Sequence, residues 1–211
     1  LLANLMQKYA VDVMVCIDTQ IARRTGQYIG QIFKDALGPG TQTHTSAYKG
    51  DTKTERQGAR YAGGIMMIVG PKWGRSVVSF KDDPTGLGVA TQLLIQGAVG
   101  KVQIIGTYWP VKHTAESQGK HTLQARIGKW LQKEGQQHDD TSAWTYVQQL
   151  ITKWMYHHRQ GDNNTTIILG DFNLNGDALN LWGKEHGLHN NLYEDKQRRN
   201  QYYTRTGAST M

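Results

Sequence analysis

Thr165-Thr166-Ile167-Ile168-Leu169-Gly170-Asp171-Phe172-Asn173 is the stretch on which the reading of this chain turns. An apolar, β-branched run ends on Gly170 and then delivers a carboxylate and a carboxamide two positions apart. Such a run fits a pleated, buried surface, so residues 165–170 predict a strand. In an extended segment residues i and i+2 point the same way, so Asp171 and Asn173 are expected to converge on one site. A carboxylate is a hard oxygen ligand for Mg²⁺ or a general base, and a carboxamide can donate to a phosphate oxygen. An Asx turn capping the strand is the competing, purely structural reading.

Two other strands end in residues of similar chemical use. Val11-Asp12-Val13-Met14-Val15-Cys16-Ile17 reads as a buried strand and leads directly into Asp18-Thr19. Strand ends are where α/β proteins place chemistry, so two strands that each finish on Asp suggest one shared site. Val102-Gln103-Ile104-Ile105-Gly106-Thr107-Tyr108 is a third, stopped by Pro110. A phenol at that end could stabilise charge growing on a phosphate, although an aromatic there can equally be core.

The rest of the chain fills in around them. Leu2, Leu5, Met6 and Tyr9 have the spacing of one helix face, and a second helix is expected over 27–36, ended by Gly38-Pro39-Gly40. Residues 41–61 are polar and read as loops and short strands. Gly63-Gly64 opens a strand through Val69, and 76–80 and 90–96 form further strands around the turn Asp82-Asp83-Pro84-Thr85-Gly86. A helical region runs from about 118 to 158 with a break near 135–140, and a short helix covers 178–186. Intermixed helices and strands with hairpin-like pairs favour an α/β (α+β) fold with two sheets inside and helices outside.

With 211 residues the chain is expected to form a single domain with a real core. Hydrophobic residues make up 38% and charged ones 19%, which excludes disorder by composition, and no apolar run approaches the length of a spanning helix. No leader is legible before Leu1, which suggests a fragment or processed piece. Cys16 is the single cysteine, so an internal disulfide and a zinc cluster built on cysteines are both excluded. Buried small hydrophobe is its expected role. The net charge is +7. A basic surface draws a polyanion, nucleic acid before anionic lipid. Lys49, Lys53, Arg56 and Arg60 cluster in one polar stretch, and Lys196, Arg198, Arg199 and Arg205 in another, with Tyr202 and Tyr203 beside them. Such clusters are candidates for phosphate contact.

Taken in order, these motifs resemble the endonuclease/exonuclease/phosphatase superfamily, and nearest in look its LINE-type retrotransposon endonucleases. Gly170-Asp171-Phe172-Asn173 matches the superfamily's Gly-Asp-Phe-Asn unchanged, and Tyr108-Trp109-Pro110 matches its Tyr-x-Pro. Ile17-Asp18-Thr19 stands where it has Gln-Glu-Thr, and Gly63-Gly64 where it has a Gly-Gly-Val-type strand. The resemblance implies a four-layer α/β/β/α sandwich of two mixed sheets, incomplete at both ends. It implies Mg (or Mn) held by Asp18 and Asp171, with Asp18 one methylene shorter than the superfamily's Glu. Asp171 would orient or deprotonate the attacking water, Asn173 would bind the scissile phosphate, and Tyr108 would help stabilise the transition state. The expected activity is metal-dependent hydrolysis of a DNA phosphodiester, leaving a 3′-hydroxyl for a reverse transcriptase region of the same polyprotein to extend. The expected location is intracellular, the nucleus in a eukaryote, with no membrane partner. A phosphatase acting on a lipid or small phosphate, and a catalytically dead DNA-binding remnant, are the alternatives.

The superfamily's opening strand with its Asn has no counterpart before Asp18, and nothing matches its Ser-Asp-His motif. The eight histidines offer no substitute for the missing base; His113, just past Tyr-x-Pro, is the only one expected near the site, and His157 and His158 are expected to face solvent.

Overall fold

The computed structural model describes residues 1–47, 63–111, 122–136, 142–161 and 163–189. They fall into two compact units, one over Leu1–Asn173 and one beginning at Leu174. The first holds seven strands in two sheets. β1 (Val13–Ile17), β2 (Gln42–Ser46) and β3 (Ile65–Val69) form an antiparallel sheet in the order β1-β3-β2. β4 (Val77–Asp82), β5 (Ala90–Gln96), β6 (Lys101–Tyr108) and β7 (Thr165–Asp171) form the second, antiparallel up to β6 and parallel between β6 and β7.

β3 explains how the layers stack. Its five residues Ile65-Met66-Met67-Ile68-Val69 are all buried, because a strand turns alternate side chains to opposite faces and both faces here are covered. Ile65, Met67 and Val69 face the second sheet, where they meet Leu93, Ile95 and Ile104 along with Val13 and Val15 of β1. Met66 and Ile68 face the other way, against Met6 of α1 (Leu2–Lys8) and Phe33 of α2 (Arg23–Leu37), with Cys16 packed beside them. Cys16 packs as a small hydrophobe but is half-buried where full burial was expected, and burial pushes its thiol up.

A one-turn helix, α3 (Pro71–Gly74), follows β3; it was too short to show a periodic pattern in the sequence. The outer face of the second sheet carries α4 (Leu123–Lys133) and α5 (Ser142–Arg159). Thr122 caps α4 by accepting from the Ala125 N–H at 3.2 Å. Gln103 of β6 donates to the Trp154 carbonyl at 3.2 Å and accepts from Thr166 at 3.0 Å, tying α5 to the sheet through a fully buried amide. Helix, sheet, sheet, helix is therefore the layer order, with the first sheet antiparallel throughout and the second mixed.

His158 corrects the expectation that both helix-ending histidines face solvent. It is 8% exposed and its Nε2 lies 3.2 Å from the Lys101 carbonyl, whereas His157 is exposed. One residue is a 100° step around a helix, which separates the two.

In the second unit, α6 (Gly176–Glu185) is capped by Asn175, whose side chain accepts from Ala178 N at 2.7 Å, and Trp182 packs edge-on to His186. No helix among the described residues is long and apolar enough to cross a membrane.

Candidate active site

Three strand ends meet in the first unit. β6 and β7 run parallel in a register that sets Tyr108 opposite Asp171, so the phenol and the carboxylate leave adjacent strands at the same end. Asp18 follows β1, which packs across β6 and β7. Gly106 permits that approach. A Cβ built there would stand 2.7 Å from Val15 Cγ1 and 2.9 Å from Met67 Cε, so any larger residue would hold the sheets apart at the site.

The phenol of Tyr108 registers the convergence electrostatically. Burial raises its pKa above the ordinary value, and the negative charges of Asp18 and Asp171 raise it further, while a hydrogen bond with Asn173 works in the opposite direction. Tyr108 thus has the other three sequence-derived residues around it.

Asp18 and Asn173 both adopt positive φ, 53° and 46°, a region that L residues other than short polar ones rarely enter. Asp18 is held there by its own side chain: Oδ1 accepts from Gly63 N at 3.0 Å and Oδ2 from the Gln20 amide at 3.0 Å. Asn173 departs from expectation in how it reaches the site. It does not continue an extended segment; β7 stops at Asp171, and Asn173 folds back so that its N–H donates to Asp171 Oδ1 at 3.2 Å. The Asx turn and the converging site are one structure. Its amide nitrogen donates to the Trp109 carbonyl at 2.6 Å, and Trp109 N in turn donates to the Asp171 carbonyl at 2.8 Å, which locks the Asp171 loop onto the end of β6.

Gln20 and Gly63, which hold Asp18, escaped the sequence reading. The Gly63-Gly64 pair was legible only as the front of a strand, and nothing in the sequence tied it to a carboxylate 45 residues earlier. Lys49, Lys53, Arg56, Arg60, Arg198, Arg199 and Arg205, with Lys196, Tyr202, Tyr203 and His113, lie outside the described residues.

The donor set suits Mg²⁺. This ion takes one or two carboxylates and keeps several waters, so it needs no cage of protein ligands. Asp18 and Asp171 supply that number, and among the described residues no group of three or more His, Cys, Asp or Glu gathers to offer a fuller shell. Asp171 is exposed and Asp18 half-buried, so neither carboxylate is closed off from water.

Comparison with known structures bears on the fold. The chain matches ANGEL2, a 2′,3′-cyclic phosphatase in complex with adenosine-2′,3′-vanadate, with a TM-score of 0.51 at 14% identity, over 87% of this chain and 46% of that one. It matches the beta toxin from Staphylococcus aureus at 0.50 and 11% identity, over 89% of this chain and 64% of that one. These likenesses show the fold, a two-sheet α+β sandwich that the chain shares with ANGEL2 and the beta toxin. The human Nocturnin catalytic domain, solved with bound sulfate, scores 0.47 at 12% identity over 82% of this chain and 55% of its own. The chain thus spans about half the length of ANGEL2 and Nocturnin. No protein-family model and no curated protein matches the sequence. At these identities the likeness carries architecture alone, and the chemistry rests on the residues themselves.

Proposed function

We propose that the chain is a metal-dependent phosphodiesterase that hydrolyses the DNA backbone, a nicking endonuclease of the retroelement type. The observation that carries this reading is the phenol of Tyr108 lying in the field of both Asp18 and Asp171 at the end of parallel strands β6 and β7. Two carboxylates with a neutral phenol beside them suit a phosphate diester: the carboxylates would hold Mg (or Mn), and the phenol would donate to oxygen as charge builds there. When bound, the metal neutralises phosphate charge and supports the leaving oxygen.

Asp171 orients the attacking water and takes its proton; the water oxygen bonds to phosphorus, the P–O3′ bond breaks, and the leaving O3′ takes a proton from solvent to become a 3′-hydroxyl, leaving a 5′-phosphate. Asn173 keeps the Asp171 loop on β6, and contact with the scissile phosphate requires it to exchange its bond to Trp109 or Tyr108 for one to the substrate. Nucleic acid is favoured over lipid by the net charge of +7. The basic clusters at 49–60 and 196–205 are the proposed DNA contacts, a reverse transcriptase region of the same polyprotein the proposed partner, and the nucleus of a eukaryotic cell the proposed location.

Supercoiled plasmid tests the reading. Conversion to open circles in Mg²⁺, stopped by EDTA, is the expected result, with binding that weakens steeply as salt rises. Release of phosphate from anionic vesicles without plasmid nicking would move the activity to a lipid phosphate. A folded chain that retards plasmid and never nicks it would leave a DNA-binding remnant.

A further inference from the structure

Asp83 is 3% exposed, and neither ion pair among the described residues includes it. A buried carboxylate without a cation is costly, so its bonds must accomplish something that an apolar residue could not. Its Oδ1 accepts from the backbone N–H of Thr85 at 3.0 Å and from the Thr85 hydroxyl; its Oδ2 accepts from Val89 N at 3.0 Å. The Thr85 hydroxyl oxygen also accepts from Leu87 N at 3.1 Å. One carboxylate therefore fixes the whole 83–89 loop.

That loop is the shared support of two active-site strands. The Val89 carbonyl accepts from Tyr108 N at 2.9 Å and from the Thr107 hydroxyl at 3.2 Å. The Gly88 carbonyl accepts from Gly64 N at 3.0 Å, and the Gly63 and Gly64 carbonyls accept from Gln20 N and Thr19 N, both at 3.0 Å. Gly63 N then donates to Asp18 itself. Space at this junction is fully used: a Cβ on Gly88 would stand 2.5 Å from the Ser46 carbonyl and 2.7 Å from Gly64 Cα. From Asp83 the chain of bonds branches at 88–89, one arm to Tyr108 and the other through Gly64 and Gly63 to Asp18.

We propose that Asp83 is a positioning residue that sets Tyr108 and Asp18 at their working separation through the 83–89 loop. The proposal rests on the reading of Tyr108 and Asp18 as catalytic; the loop coupling itself does not. Asp83→Asn keeps the shape but offers one acceptor oxygen where two are used, so either the Thr85 or the Val89 anchor is lost. Thr85→Val is the milder variant, removing the hydroxyl that bonds Asp83 and Leu87. Asp82→Asn is the control, since Asp82 pairs with His44 and bonds neither Gly64 nor Tyr108.

Two readouts on the full chain separate the possibilities. In amide hydrogen exchange, Asp83→Asn should speed Gly64 and Tyr108 by about tenfold or more, with Ile68 and Leu93 in mid-sheet changed less than about threefold. Thr85→Val should repeat the pattern more weakly, and Asp82→Asn should leave Gly64 and Tyr108 alone. In plasmid nicking, Asp83→Asn should lower kcat by about 10- to 100-fold, as expected for groups displaced by a fraction of an ångström, with KM nearly unchanged. Unchanged exchange at Gly64 and Tyr108, or equal loss of protection throughout both sheets, overturns the proposal. If the parent chain nicks nothing, the proposed function fails while the exchange pattern still decides the loop coupling.

Discussion

Asp171 and Tyr108 do different work, and substitution should separate them. Asp171 is exposed at the end of β7 and contributes no packing, so Asp171→Asn should leave circular dichroism and thermal unfolding essentially unchanged. Nicking should nevertheless fall by about 10²-fold or more if Asp171 is the proton acceptor, measured as open-circle formation under single turnover. Tyr108→Phe removes one donor and should cost about 10- to 100-fold in kcat with little change in KM. Because burial and two carboxylates hold the phenol above its ordinary value of 10.0, it is a protonated donor throughout the neutral range. These residues were legible in the sequence because each follows an apolar run that stops abruptly. The bonds that orient them were not, since Gly63, Gln20 and Asp83 announce nothing by type or spacing.

At the level of elements, the two sheets are clasped on the side of β2 and β4 by His44, whose Nε2 lies 2.7 Å from Asp82 Oδ1 and whose ring stacks on Phe80 at 4.7 Å. Burial pushes the Asp82 carboxyl up, but the hydrogen bond and charge of His44, with help from Ser46 and Thr91, outweigh it and hold the carboxyl below its ordinary value. A depressed folded pKa stabilises the fold above the unfolded value of about 3.9 and loses that contribution as pH falls through the folded value. Acid unfolding followed by tryptophan fluorescence should show it: Asp82→Asn should unfold at lower denaturant at pH 6 and match the parent once the pH drops below the folded value. Strand positions were readable because β1, β3, β5, β6 and β7 are apolar or β-branched runs with turn residues between them. β2 was not, since Gln42-Thr43-His44-Thr45-Ser46 is polar and owes its place to pairing with β3 and to the His44 clasp.

At the scale of the whole first unit, the four-layer sandwich places its core in three slabs, and Ile105 belongs to the one between the second sheet and its helices, fully buried on the helix-facing side of β6. Ile105→Ala should cost about 2–5 kcal/mol, seen as a lower midpoint in urea with the slope retained. The layer order was foreshadowed by intermixed elements with hairpin-like pairs, whereas sheet order was not: β3 lies between β1 and β2, a pairing across the polar stretch that no local pattern encodes. On the proposed function, strands from both sheets build one phosphoryl-transfer site. A double-mutant cycle on plasmid nicking decides whether they do, using Asp18→Asn, Asp171→Asn and the two combined, each with Mg²⁺ at saturation. Residues that act as a unit are strongly non-additive, so the double variant should be scarcely slower than the worse single one. Rate losses that multiply, each variant contributing its full factor, would contradict a shared site and return Asp18 to a purely structural role.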